Sequence, residues 1–480
     1  MLPNEVVQLS EKYNVSKEEK IRQAEFADKV KTVLAAEFYE HSPKAFIHTY
    51  GCQGNVSDSE RIMGMLKEMG YEFTNDASKA DLILYNTCAV REHAEDRVFG
   101  NVGAVKKYKK DNPHLIIALC GCMMQQEHIR NKIYSSYPFV DLVFGTHAVT
   151  SLPELLYRTL SGNKRVFYAP DSHGEIAEDI PIYRDRGIKA WLPIMYGCDN
   201  FCTYCIVPYV RGRERSREPQ AVLNEAEDII ANGYKDITLL GQNVNSYGKN
   251  NVSDMNFAGL LREVANLDGD FWVRFMTSHP KDCTKELIDV MAENDKIAKH
   301  LHLPFQSGND RVLKAMNRHY DRKKYLELIN YAKEKIPDLS LTSDVIVGFP
   351  GETYEEFKDT LSLIKEVEFT SLFTFIYSPR EGTKAASMED PVTKDEKSRW
   401  FKELCDLQES IASKRTAKMK DNIYKVLVES ESKNHPGMLS GRTEGNIIIE
   451  FSGDSSLIGS FRNVKVTEPL NWILKGELQQ

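Results

Sequence analysis

Three cysteines, Cys52, Cys88 and Cys122, each follow a short apolar run, in KAFIHTYGC, DLILYNTC and LIIALCGC. They lie 36 and 34 residues apart, and helical patterns such as SDSERIMGMLKEMG and REHAEDRVFGNVGAVKKYKK fill the gaps. Strands that alternate with helices at this spacing predict a parallel sheet covered by helices. The carboxyl ends of such strands line one edge, where ligands bind, so thiols distant in sequence can meet there. A second triplet is compact: Cys198, Cys202 and Cys205 in GCDNFCTYC, directly after the apolar run WLPIMYG. Three thiolates can hold three irons of a cubane cluster and leave the fourth iron open to another ligand. Zinc is the competing reading of Cys202-x-x-Cys205. It needs a second ligand pair nearby, and the adjoining sequence has none. Cys120 reads as core, and Cys283 and Cys405, alone on helical patterns, read as packing residues.

The chain has 480 residues, enough for about three domains. No apolar stretch approaches the roughly 20 residues of a membrane span, and the N-terminus is polar and charged. These features predict a cytoplasmic protein with no membrane association, whose nine cysteines are thiols or metal ligands rather than disulfides. A net charge of −8 argues against a uniformly basic nucleic-acid binder. Basic residues do cluster locally. Lys106, Lys107, Lys109 and Lys110 read as a solvated helix face. Arg211, Arg213, Arg215 and Arg217, just after the compact triplet, read as contacts to RNA phosphate.

The fold class read from the whole chain is α/β with a small β-barrel at the end. Residues 1–43 read as a helical extension and 44–162 as an open parallel-sheet domain. Residues 163–187, rich in charge, Pro and Gly, read as a linker. Over 188–415 six apolar runs alternate with helical patterns: WLPIMYG, DITLLGQ, FWVRFMTS, KHLHLPFQ, LTSDVIVGF and LFTFIYS. They suggest a partial (β/α)6 barrel with its chemistry at the carboxyl ends of the strands. Period two puts His300, His302 and Gln306 on one strand face. These histidines read as hydrogen-bonded core. Residues 416–480 alternate in period two between Gly and Asn turns, as in a small antiparallel barrel of the kind often used on oligonucleotides.

The run GCDNFCTYC resembles the signature of the radical S-adenosylmethionine superfamily. The resemblance implies a 4Fe-4S cluster on Cys198, Cys202 and Cys205. S-adenosylmethionine would chelate its open iron and be cleaved to a 5′-deoxyadenosyl radical. Tyr204 would then lie near the adenine. Gln242 and Asn243 end the second barrel strand, where the superfamily often has Gly-Gly-Glu, a motif absent here. Ile346, Gly348 and Gly351 in SDVIVGFPGE suit adenine stacking and close backbone approach.

Both triplets, GCDNFCTYCIVPYVRGRERSR and the C-terminal barrel resemble the radical methylthiotransferases over about residues 44–480. GCQGNVSDSER, NTCAVREHAE, LLGQNVNSYG, TSHP, SDVIVGFPGET and LSGRTEGN are similar to the tRNA-modifying MiaB type, and the last lies in a TRAM-like segment. The resemblance implies a second, auxiliary 4Fe-4S cluster on Cys52, Cys88 and Cys122. It implies transfer of a methylthio group to carbon 2 of N6-isopentenyladenosine at position 37 of tRNA, with two S-adenosylmethionine consumed. The implied partners are the tRNA anticodon stem-loop and an electron donor such as flavodoxin or ferredoxin, acting on a monomer. Rival readings are a methylthiotransferase acting on threonylcarbamoyladenosine or a ribosomal protein, and a non-catalytic iron–sulfur RNA-binding sensor.

Overall fold

The computed structural model describes residues 14–479 apart from 39–40, 90–91, 163–164, 171–173, 186, 250–253 and 434. The first part of the expected N-terminal extension therefore lies outside the described residues. Its remainder is the helix Lys17–Glu37, which starts where the Ser16 hydroxyl accepts from the Glu19 amide at 3.1 Å. Val30 and Leu34 of this helix pack with Leu152, Leu155 and Leu156 in the core of the first domain. The extension is thus part of that domain.

Six parallel strands form the first sheet: β1 (Lys44–Thr49), β2 (Glu72–Phe73), β3 (Leu82–Thr87), β4 (Ile116–Gly121), β5 (Leu142–Phe144) and β6 (Val166–Tyr168), in the order β2-β1-β3-β4-β5-β6. Every residue of β3 and β4 is buried, as expected for central parallel strands covered on both faces. β6 falls inside the expected linker and pairs with β5, so the sheet runs past residue 163. The periodicity reading missed β2 and β6 because each is too short to show a pattern. The rest of the expected linker is a strap. The Tyr183 amide donates to the Glu60 carbonyl at 2.9 Å. The Pro181 carbonyl lies only 2.0 Å from where a Cβ on Gly64 would stand, so residue 64 must be glycine for the strap to lie down.

The second domain begins with β7 (Lys189–Pro193), β8 (Met195–Tyr196), β9 (Arg215–Ser216), β10 (Asp236–Leu240) and β11 (Trp272–Phe275), and continues through β12 (His300–His302), β13 (Ser340–Val347) and β14 (Ser371–Ile376). The parallel sheets β7-β10-β11 and β12-β13-β14 meet through a bridge between Val273 and Ile297. Together they make the expected half-barrel of six strands. WLPIMYG is broken at Ile194, and its second half, β8, turns away to pair antiparallel with β9.

The closed C-terminal barrel comprises β15 (Ile423–Glu431), β16 (Met438–Thr443), β17 (Ile448–Ser452), β18 (Phe461–Pro469) and β19 (Ile473–Leu478), in the order β15-β16-β17-β19-β18. Four pairings are antiparallel and β17 with β19 is parallel. An odd number of strands cannot alternate direction all the way round a closed ring, so one parallel pair is required. This barrel docks on the amino ends of the half-barrel strands. Lys189 pairs with Glu429 at 2.7 Å. Trp272 meets Phe461 at 4.7 Å between ring centres. Arg274 bonds Asp236 and the carbonyls of Thr443 and Glu444.

The first two domains are joined by buried charge. Arg217, 3% exposed, pairs with Glu178 of the strap at 2.6 Å and Glu225 of the half-barrel at 2.7 Å, and donates to the Pro193 carbonyl. Removing one partner of a buried pair leaves the others uncompensated, at about 3–5 kcal/mol. Arg217→Met is expected to destabilise the protein by about 3 kcal/mol, seen as a lower denaturant midpoint by circular dichroism.

Candidate active site: two thiol triplets

β1, β3 and β4 are neighbours in the first sheet. The registers Thr49 with Asn86 and Thr87 with Gly121 bring their carboxyl ends level. Cys52, Cys88 and Cys122 follow at one edge. Two buried amides lock this edge. The Asn55 Nδ2 donates to Asn86 Oδ1 at 3.1 Å and to the Thr87 carbonyl at 3.2 Å, and Asn86 Nδ2 donates back to the Asn55 carbonyl at 2.8 Å. Gly121 has φ +98°, and a Cβ there would lie 2.4 Å from both Asn86 Oδ1 and the Thr87 carbonyl oxygen, so only glycine fits before Cys122. Cys88 and Cys122 are buried and Cys52 is exposed. Burial pushes the Cys122 thiol up; the Arg211 guanidinium opposes this, and the neighbouring Cys52 adds to it. Cys120 packs in the core on the sheet's other face, as the sequence predicts.

The compact triplet sits in a loop closed by β8 and β9. Gly197 opens it with φ +77°, and a Cβ there would lie 1.9 Å from the Arg213 carbonyl oxygen. The Cys198 amide donates to the Gly212 carbonyl at 3.1 Å, and the Cys205 amide to the Cys202 carbonyl at 2.9 Å. The far side is pinned to Met316 and Asn317. Thr203 donates to the Met316 carbonyl, and Asn317 Nδ2 to the carbonyls of Asn200 and Phe201. Burial pushes the Cys205 thiol up to about 12, with Cys202 adding to the shift, and holds that of Cys198 far above its usual range, with Cys205 and Cys202 adding to it. Without metal, Cys198 and Cys205 are therefore neutral thiols, and cluster binding must release their protons. Arg318 Nη1 donates to Cys202 Sγ at 3.5 Å.

The donor sets fit two four-iron clusters. Each comprises three thiols drawn together at strand ends with no acidic ligand among them. Among the described residues no three ligating side chains converge on a single-ion site.

The residues expected around S-adenosylmethionine fare differently. Tyr204 and Ile346 pack in one cluster with Val312, Met316 and Phe349, beside the Cys202–Cys205 turn. Gln242 accepts a hydrogen bond from the Gly197 amide, so it holds the entrance of the cysteine loop. A Cβ on Gly54 would lie 3.6 Å from Cys52 Sγ and 4.0 Å from Gln242 Nε2. Gln242 thus stands between the two triplets. Asn243 is buried, with Nδ2 donating to Asp282 at 2.8 Å. Gly348 has φ +70°, and a Cβ there would lie 2.6 Å from the Lys397 side chain.

Sequence reasoning named Asn243 but missed the rest of a polar cluster at the ends of β10 and β11. Asn243 Oδ1, both amide atoms of Asn245, Ser278 Oγ and His279 Nε2 are buried without hydrogen-bond partners among the described residues. Buried polar atoms are nearly always satisfied, so this mixture of donors and acceptors fits a polar ligand such as S-adenosylmethionine. Burial and the cations Arg318 and Lys281 depress the His279 imidazole strongly, so it is neutral. Their signal in the sequence was the pair of motifs LLGQNVNSYG and TSHP, each following an apolar run. His300 and His302 are core histidines as expected. Both bond the Thr342 hydroxyl, and burial lowers His300 to about 3.

The arginine run is the larger correction. Arg211, Arg215 and Arg217 are buried and do not face solvent, so they are not phosphate contacts. Arg211 pairs with Asp58, Arg215 donates to the Arg213 carbonyl, and Arg217 pairs with Glu178 and Glu225. Strand alternation around β9 cannot explain three inward arginines; opposing acids meet Arg211 and Arg217, and backbone carbonyls meet Arg215. Arg213 alone is exposed, at 52% of its side chain, and lies over the Phe201 ring at 4.6 Å. Of the lysine run, Lys109 pairs with Asp141 at 2.6 Å.

A parallel half-barrel with three thiols beyond its first strand is the architecture of the radical S-adenosylmethionine enzymes. The chain matches the Radical SAM superfamily over residues 192–364, Uncharacterized protein family UPF0004 over 44–145 and the TRAM domain over 418–478. A solved structure of the radical S-adenosylmethionine methyltransferase TsrM from Kitasatospora setae shares the fold at TM-score 0.54 and 14% identity, covering 72% of this chain and 77% of that one. The tRNA-2-methylthio-N(6)-dimethylallyladenosine synthase of Clostridium tetani is 52% identical over 90% of this chain and 95% of its own. That of Acetivibrio thermocellus is 47% identical over 97% of both. The chain belongs to the tRNA-2-methylthio-N(6)-dimethylallyladenosine synthase family.

Arg213→Ala is expected to weaken RNA binding modestly and reduce the salt slope of log K by about one. Filter binding across a salt series measures this, and an unchanged slope removes Arg213 from the RNA interface.

Proposed function

We propose that the protein adds a methylthio group to carbon 2 of N6-isopentenyladenosine at position 37 of tRNA, using two S-adenosylmethionine per product. The observation that carries this reading is the juxtaposition of two thiol triplets, with Gln242 and Arg211 between them. Cys198, Cys202 and Cys205 hold the cluster that binds S-adenosylmethionine, and Cys52, Cys88 and Cys122 hold the auxiliary cluster. When bound, the first cluster supplies the electron that cleaves S-adenosylmethionine to a 5′-deoxyadenosyl radical, and the auxiliary cluster supplies the sulfur that is methylated and transferred.

The chain's own residues bind, orient and exclude water. A purine ring hydrogen is too weakly acidic for neutral histidines and carboxylates to remove. Tyr204 and Ile346 offer an apolar wall, and the unpartnered atoms of Asn243, Asn245, Ser278 and His279 offer polar contacts to S-adenosylmethionine. The open edge strand β14 exposes Phe373, Phe375 and Ile376. The register pairs Phe373 with Asp344 and Phe375 with Ile346. Exposed aromatic rings at the mouth of a half-barrel suit an unstacked anticodon-loop base. The C-terminal barrel, matched by the TRAM domain, supports RNA binding. An electron donor such as flavodoxin or ferredoxin, a monomeric state and a cytoplasmic location complete the reading. Among the described residues no helix is long and apolar enough to cross a membrane.

Nucleoside mass spectrometry of tRNA from a deletion strain is the direct test, and persistence of the methylthio mark refutes the reading. In vitro the two triplets are expected to separate. Cys198→Ala abolishes 5′-deoxyadenosine formation, whereas Cys52→Ala retains it at least in part and yields no methylthio product.

A further inference from the structure

Arg211 stands between the two thiol sites. It ends the helix Val207–Arg211, which begins two residues after Cys205. Its Nε donates to Cys122 Sγ at 3.0 Å, and its Nη1 pairs with Asp58 Oδ2 at 2.7 Å. Arg211 and Cys122 are 8% and 5% exposed. Asp58 belongs to the helix Gln53–Glu68, whose N-terminal flanking residue is Cys52. One side chain therefore joins the loop of the compact triplet to two ligand-bearing elements of the other. Its backbone is held as well, since the Thr146 hydroxyl donates to the Val210 carbonyl, and Ala89, Cys122, Ile206 and Val210 pack together around the contact.

We propose that Arg211 is a positioning residue for the auxiliary cluster, raising its reduction potential through the N–H···S bond to Cys122, with Asp58 limiting the effect. Reduction adds an electron and hence negative charge to the cluster. A cationic donor on a ligand sulfur stabilises the reduced form more than the oxidised one. Burial strengthens this, because little water screens the charge. The Asp58 carboxylate acts on the same guanidinium from its other side and offsets part of its charge. Removing the donor and removing its counter-ion must then move the potential in opposite directions. A merely structural arginine predicts no such pair of signs.

The inference rests on the auxiliary cluster proposed above, and the experiment separates the two. Cys198→Ala, Cys202→Ala and Cys205→Ala together remove the other cluster. Iron content and the electron paramagnetic resonance signal of this anaerobically reconstituted triple variant test the auxiliary cluster itself. The absence of a four-iron cluster ends that reading whatever Arg211 does. In the same background, a dithionite titration followed by electron paramagnetic resonance gives the midpoint potential. Arg211→Gln is expected to lower it and Asp58→Asn to raise it, with Arg211→Lys between Gln and the parent. Unchanged midpoints, or shifts of one sign in both variants, overturn the proposal. Should Arg211→Gln fail to keep its cluster, Asp58→Asn decides alone: a midpoint at or below the parent's overturns it.

Discussion

The arrangement of this protein depends on the buried guanidinium groups of the segment RGRERSR. Arg211 reaches Asp58 and Cys122 in the first domain, and Arg217 reaches Glu178 of the strap and Glu225 of the half-barrel. Behind them Arg184 pairs with Glu225, and Arg61 bonds the Tyr196 hydroxyl. Buried ion pairs contribute little net stability because each charge must leave water. What they supply is geometry. A planar, always-charged fork accepts few arrangements once its partners are buried. That restriction holds the ends of β1, β3 and β4 against the loop after β7, and so sets two independently folded thiol triplets face to face.

The rest of the molecule is organised around that meeting point. Asn55 and Asn86 level the strand ends of the first sheet. Gly121 and Gly197 let the backbone turn where a side chain would collide. Gln242 spans the gap between the loops. The C-terminal barrel docks at the opposite pole, on the amino ends of the half-barrel strands, through Lys189, Arg274 and Trp272. An RNA held by that barrel must pass along the side of the half-barrel to reach the thiols, and the exposed rings of Phe373 and Phe375 lie on its open edge strand.

Much of this was legible in the chain. Apolar runs ending in cysteine announce parallel strands, because both faces of such strands are buried and their ends carry function. The six half-barrel strands, the final barrel and the core roles of Cys120, His300 and His302 follow from the same periodicities. Two features were misread for stated physical reasons. β2 and β6 are too short to carry a period. Three of the four arginines point inward: acids from the strap and from two helices meet Arg211 and Arg217, and backbone carbonyls meet Arg215, and local patterning cannot show that.

By itself the sequence determined which residues can be ligands and that they lie at strand ends, since spacing and periodicity are local properties. Only the tertiary structure decided which groups face one another. It turned a basic run from an RNA contact into an inter-domain weld, and it revealed buried polar atoms without hydrogen-bond partners among the described residues at the ends of β10 and β11. It also placed Arg211 on a ligand sulfur 89 residues away in sequence. Charge reads the same in a string whether it is solvated or buried; its meaning comes from what packs against it.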